Sequence, residues 1–167
     1  ADDSHTAMLR ELDAGIEAAR FTSPELGELE LPVKLRVYDS VFVPLAKWAM
    51  LMAGNYRCVQ AEEMRPIKDA VHGDIEASQA VYEWVVGVCI DLGGDASDFV
   101  PFEKYAKAAS SLASPSSAAR ALAAGATNIE RVDKLVSLVA AQQGKKLEVV
   151  DETVGLVEKW LTQNRAG

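Results

Sequence analysis

Lys47 stands inside an almost wholly apolar run, with Val41, Phe42, Val43, Leu45, Trp48, Met50, Leu51 and Met52 around it and only Asp39, Ser40 and Pro44 as other relief. An unpaired ammonium is costly to bury, so a lysine there is either a cation held for function or a rim residue whose ammonium snorkels into water. Asn55 follows eight residues on. In an unbroken helix that is about 12 Å along the axis and some 80° around it, so both side chains can flank one small ligand. An amide in that position recognises a carboxylate or a hydroxyl, or else caps a helix beside Gly54. Ser116 and Ser117 follow Pro115 and precede an alanine-rich stretch; hydroxyls so placed cap helices, and helix starts also hold carboxylates.

The remaining reactive residues point to less. His72 has Asp74 and Glu76 nearby and His5 lies far off, which is no metal-ligand spacing, so no metal is expected. Cys58 and Cys89 are too few for a disulfide scaffold, and neither has a histidine spaced to suggest a thiol nucleophile. The eleven glycines form neither G-x-G-x-x-G nor a Walker loop. With 25 acidic against 17 basic residues, net −8, the chain lacks the charge for a broad phosphate-binding face, so nucleic acid and anionic membrane are not expected partners. There is no run of about 18 apolar residues and no signal-like start, which reads as a cytoplasmic protein.

The elements that must carry these residues are mostly helical, because apolar positions recur at helical spacing while alternation is confined to residues 29–37. Ser4 is a plausible N-cap for a first helix through Leu9, Leu12, Ile16 and Ala19. A connection punctuated by Pro24, Gly27 and Pro32 follows, with at most one edge strand. The apolar run reads as a core helix that Pro44 opens or kinks and that Gly54-Asn55 stops. A long helix is expected over 67–92, with Ala80, Val81, Trp84, Val85, Val88, Cys89 and Leu92 as its buried stripe. A shorter one after Pro101 carries Phe102, Tyr105, Ala106 and Ala109. Another covers 118–124 and closes at Gly125, and two amphipathic helices run through Ile129 to Val139 and Val150 to Leu161. Residues 1–34 form the amino-terminal helix and loop, packed as one unit with a helical domain over 35–167.

This order of features resembles the carboxy-terminal domain of the ketopantoate reductase family, the 2-dehydropantoate 2-reductases. Lys47 and Asn55 match the first lysine and second asparagine of the family's K-x-x-x-N-x-x-x-N, and Ser117 to Gly125 matches its serine-to-glycine spacing. The segment Ile75 to Gly93 resembles the family's long helix, and Asn128 to Val157 its last helices. The resemblance, over roughly 35–160, implies a mainly α, multi-helix domain like the carboxy-terminal domain of 6-phosphogluconate dehydrogenase. It also implies an NADPH-dependent oxidoreductase that reduces a small 2-oxo acid to a 2-hydroxy acid and pairs as a homodimer. NADP would be bound by a Rossmann domain outside these residues, without which this domain is inactive.

By the same resemblance Lys47 assists the developing alkoxide as hydride arrives, Asn55 hydrogen-bonds the substrate, and Ser117 binds its carboxylate end. Leu51 stands where the family has its first asparagine. Thr127-Asn128 replaces its Thr-Glu one residue early, leaving Asn128 as the substrate contact. Arg65 could anchor a carboxylate, but its simpler role is a solvated residue before Pro66. The departures at 51 and 128 support an alternative, a helical dimerisation or interaction module that has kept the architecture and lost catalysis.

Overall fold

The computed structural model describes residues 3–30, 33–38 and 42–167. Leu31, Pro32 and Asp39 to Val41, which end the expected connection and begin the apolar run, lie outside them. The chain forms two compact units, Ala1–Val41 and Phe42–Gly167.

The first unit holds helix α1 (Asp3–Ala18) and an antiparallel hairpin, β1 (Arg20–Ser23) with β2 (Gly27–Glu30). A hairpin was not expected where the sequence suggests a loop with at most one strand. Ser23 explains it: its hydroxyl accepts from the amides of Glu25 and Leu26, and Gly27 takes φ +72°, so a three-residue loop closes between the strands. Glu17 of α1 pairs with Lys34 and Arg36 at 3.7 Å each.

The second unit is all helical apart from one isolated bridge between Val59 and Met64. Pro44 opens a short 3-10 turn (Pro44–Ala46), its missing amide costing nothing at a helix start. Helix α2 (Lys47–Met50) follows, then a π turn (Leu51–Asn55) and a final 3-10 turn (Tyr56–Cys58). Gly54 is therefore not a stop, for the helical path runs straight through it. The expected 67–92 helix is two helices, α3 (Ile67–His72) and α4 (Ile75–Asp91), divided at Gly73-Asp74. Asp74 ends the continuity by capping α4, its carboxylate accepting from the Ala77 amide at 2.9 Å. Helices α5 (Phe102–Ala109), α6 (Ser117–Ala123), α7 (Val132–Gln142) and α8 (Glu148–Ala166) complete the unit.

The core lies between the apolar run, α4 and the last helices. Val81, Val85, Val88 and Cys89 of the expected α4 stripe are buried, while Ala80 and Leu92 are exposed. Tyr82 stacks on Tyr105 with ring centroids 5.5 Å apart and meets Phe102 edge-on, joining α4 to α5. At the base of α7, Asp133 is fully buried and accepts from Arg131 through two bonds of 2.9 Å. A bidentate pair of that kind satisfies a carboxylate that would be too costly to bury alone.

Candidate functional site

The π turn sets the geometry of the site. Here the Tyr56 amide donates to the Leu51 carbonyl, the i→i+5 pattern that marks inserted residues in helices and recurs at functional sites. Gly54 is what lets the turn pack. A Cβ there would sit 2.0 Å from the Tyr105 hydroxyl oxygen, which itself donates to the Met50 carbonyl at 3.1 Å. The turn thus seats against α5 and presents Leu51 and Asn55 to α6.

Tyr56 ties the other wall down. Its hydroxyl donates to the Glu130 carbonyl and accepts from the Val132 amide at 3.1 Å, and burial pushes its pKa above the ordinary phenol value. Ser116 does the capping on α6: its oxygen accepts from the Ala119 amide at 3.2 Å while its proton goes to the Asn55 carbonyl at 2.8 Å. Ser117 is thereby released from capping. Among the described residues, neither its hydroxyl nor the Asn55 side-chain amide has a protein partner.

Asn55 and Ser117 line one cavity of about 340 Å3 together with Leu51, Tyr56, Ala118, Ala121, Asn128, Ile129 and Glu130. They also line a neighbouring hollow of about 490 Å3 that runs along Ser111 to Ser116 and takes in Arg120. Three of the four residues picked from the sequence, Asn55, Ser117 and Asn128, thus meet. Asn128 is exposed, its amide donating to Thr127 Oγ1 at 3.3 Å and its oxygen accepting from Arg165 at 3.4 Å. Asn164 fixes the same corner by donating to the Leu122 and Ala126 carbonyls at 2.9 Å each.

Lys47 is placed apart. It is exposed at the start of α2, one turn before Leu51, and is absent from both linings. Of the two readings of that lysine, a cation in a dry cleft and a rim residue with a solvated ammonium, its exposure matches the second. The first cavity carries a carboxylate, Glu130, and no cation; positive charge enters at the second through Arg120, three residues after Ser117 on α6. Sequence reasoning missed Tyr56, Glu130 and Arg120. Only Arg120 left a signal, the i+3 spacing that puts it beside Ser117 on a helix.

Other reactive groups do not form a competing centre. Both thiols are buried and free, and burial pushes Cys89 up to about 11, the reverse of an activated nucleophile. His72 binds the Ala106 carbonyl at 2.9 Å. A further hollow of about 390 Å3 beside Trp84 has its lysines already paired, Lys145 with Asp91 at 2.6 Å and Lys146 with Asp151 at 3.4 Å. Among the described residues no three His, Cys, Asp or Glu side chains gather as metal ligands, and no helix is long and apolar enough to cross a membrane.

Among the described residues the hairpin β1–β2 is the only sheet, and no parallel strand leads through a glycine turn into a helix. The chain matches no known family model, no curated protein and no solved structure.

Proposed function

We propose that residues 42–167 are the substrate-binding part of a ketopantoate-reductase-like oxidoreductase, taking a small 2-oxo acid, with NADPH held by a separate nucleotide-binding fold. The observation that carries this reading is that Asn55 of the π turn, Ser117 of α6 and Asn128 of the α6–α7 connection line one cavity. The Asn55 amide and Ser117 hydroxyl have hydrogen-bonding capacity to spare, which suits a ligand bearing a carbonyl and a carboxylate. Arg120 gives the carboxylate an opposite charge at the end of the neighbouring hollow, and Glu130 disfavours a second anion at the other end. Lys47, outside the cavity lining and exposed, would act on the substrate oxygen only through space, a weaker effect than that of a charge in a water-excluded cleft.

The test is titration of the protein with a panel of small 2-oxo acids, followed by backbone NMR shifts. Saturable shifts at residues 51–56 and 117–121 are expected. Asn55→Ala and Ser117→Ala should each weaken binding about 3- to 10-fold, the worth of one hydrogen bond, with the melting temperature held. Shifts that are absent, or indifferent to both substitutions, would remove the assignment.

A non-catalytic dimerisation module is the second reading. It is favoured by Leu135 and Leu138 on α7, which are 46% and 57% exposed, and by the exposure of Lys47. A stable dimer with no affinity for any 2-oxo acid would decide for it.

A further inference from the structure

A separate hollow of about 210 Å3 lies where Arg57 and Arg65 meet the first turns of α8, beside Glu152 and Thr153. Both arginines are half-buried, and both are fixed by neutral acceptors. Arg57 reaches the Ser78 hydroxyl, itself fully buried, and the Ala53 carbonyl at 3.4 Å through one terminal nitrogen. Arg65 donates through Nε to the Arg57 carbonyl at 2.9 Å, and its backbone amide goes to the Cys58 carbonyl at 2.9 Å. The loop between them is closed by the Val59–Met64 bridge and by the Gln60 amide donating to the Glu63 carbonyl at 3.1 Å. Each guanidinium is therefore held in position before any ligand arrives, with N–H donors left over.

Neither arginine is in an ion pair among the described residues, although such pairs are common elsewhere in the second unit. Holding two like charges together in a partly desolvated place is unfavourable; burial and the Arg65 charge lower the Arg57 pKa from its ordinary value, and Asp74 offsets this only in part. Glu152 lines the hollow but stands beyond ion-pair distance of both, and Asp74 acts on Arg57 from outside the lining, so the lining itself sets two guanidiniums against one carboxylate. A planar carboxylate is satisfied by one guanidinium fork, whereas a tetrahedral oxyanion offers edges to two.

We propose that Arg57 and Arg65 form a binding site for a phosphoryl group, either free phosphate or a small phosphate monoester. The site is separate from the cavity of Asn55 and Ser117 and does not depend on that cavity's function.

The test is titration with inorganic phosphate and, separately, with glycerol phosphate, at ionic strength held constant with sodium chloride and read by the side-chain Nε–H NMR signals of arginine. Saturation of the Arg57 and Arg65 signals below about 20 mM by either ligand is expected, the tighter of the two identifying the source. Arg65→Gln should weaken binding about tenfold or more while circular dichroism shows the fold retained. Glu152→Gln should tighten binding severalfold by removing a repelling charge, an effect in the opposite direction that a damaged fold cannot imitate. No saturation, or binding unmoved by both substitutions, would overturn the site.

Discussion

Two hollows are built from consecutive residues of one segment: Asn55 and Tyr56 line the first, Arg57 the second. The first draws small neutral groups from the π turn, from α6 and from the connection that follows it, and its one charged lining residue is Glu130. The second is made by two arginines eight residues apart, joined through the Arg57 carbonyl, with Glu152 as the one carboxylate of its lining. A single irregular helical path thus feeds two chemically opposite sites. The irregularity is the reason: in a continuous α-helix, residues 55 and 57 would point some 200° apart with a fixed pitch, whereas the π turn and the 3-10 turn set each orientation separately.

The most damaging way to break that pairing is Gly54→Ala. Alanine is the better helix former by about 1 kcal/mol, so propensity alone would predict a gain. The added methyl, however, would stand 2.0 Å from the Tyr105 oxygen, and overpacking of a buried contact costs about 1–3 kcal/mol or more, with the Tyr105–Met50 hydrogen bond at risk besides. A net loss of roughly 2 kcal/mol is expected, seen as a drop of about 4–8 °C in melting temperature, with both hollows disturbed. Tyr105→Phe in the same chain should restore much of it, because it deletes the atom in the way; equal and additive losses from the two changes would refute the account.

Ser116→Ala should separate the sites. It removes an N-cap, typically about 1 kcal/mol, and also strands the Asn55 carbonyl that accepts the Ser116 proton. A loss of about 1–2 kcal/mol in urea unfolding is expected, with weaker 2-oxo acid binding at Asn55 and Ser117. Phosphate binding at Arg57 and Arg65 should stay within about twofold, since neither arginine touches Ser116. Equal damage to both would mean that the hollows are one mechanical unit.

Local signals in the sequence carry through to the fold, while features that depend on tertiary closure do not. The helical class, the Phe102–Ala109 face and the Gly125 end of α6 were legible, because periodicity, burial and a glycine at φ +87° act within one or two turns. Gly54-Asn55 misled, since a glycine that ends a helix and one that admits a neighbour's side chain look identical until Tyr105 is in place. For Lys47 the sequence allows both a cleft and a rim, because an apolar run says nothing about which edge of it faces water, and the exposed position matches the rim. Arg65 was read as solvated, yet its role is set by the 59–64 loop folding back on Cys58, a contact that no spacing rule encodes. At the first cavity, motif order points to Asn55, Ser117 and Asn128, whereas Tyr56 and Glu130 join them only once α7 packs against the π turn.

The smallest expected effect concerns acid. Glu158 on α8 accepts from Arg131 at 2.6 Å and lies 3.9 Å from Arg165, the residue that holds Asn128 at the rim of the neutral cavity. The Arg131 hydrogen bond holds the Glu158 carboxyl below the ordinary glutamate range. A carboxyl whose pKa is depressed by folding contributes stability above its unfolded value, about 4.3, and loses it as pH falls through the lower folded value. The side chain is 43% exposed, so solvent screening limits the contribution to about 1 kcal/mol or less. Thermal melts of the protein and of Glu158→Gln should therefore differ slightly at pH 6 and converge once the pH falls below the lowered folded value. Asn128 signals should shift over that acid range, whereas the Nε–H signal of Arg57, which has no contact with Glu158, should follow only global unfolding. A gap that widens as acid is added would reverse the sign and detach Glu158 from the cavity rim.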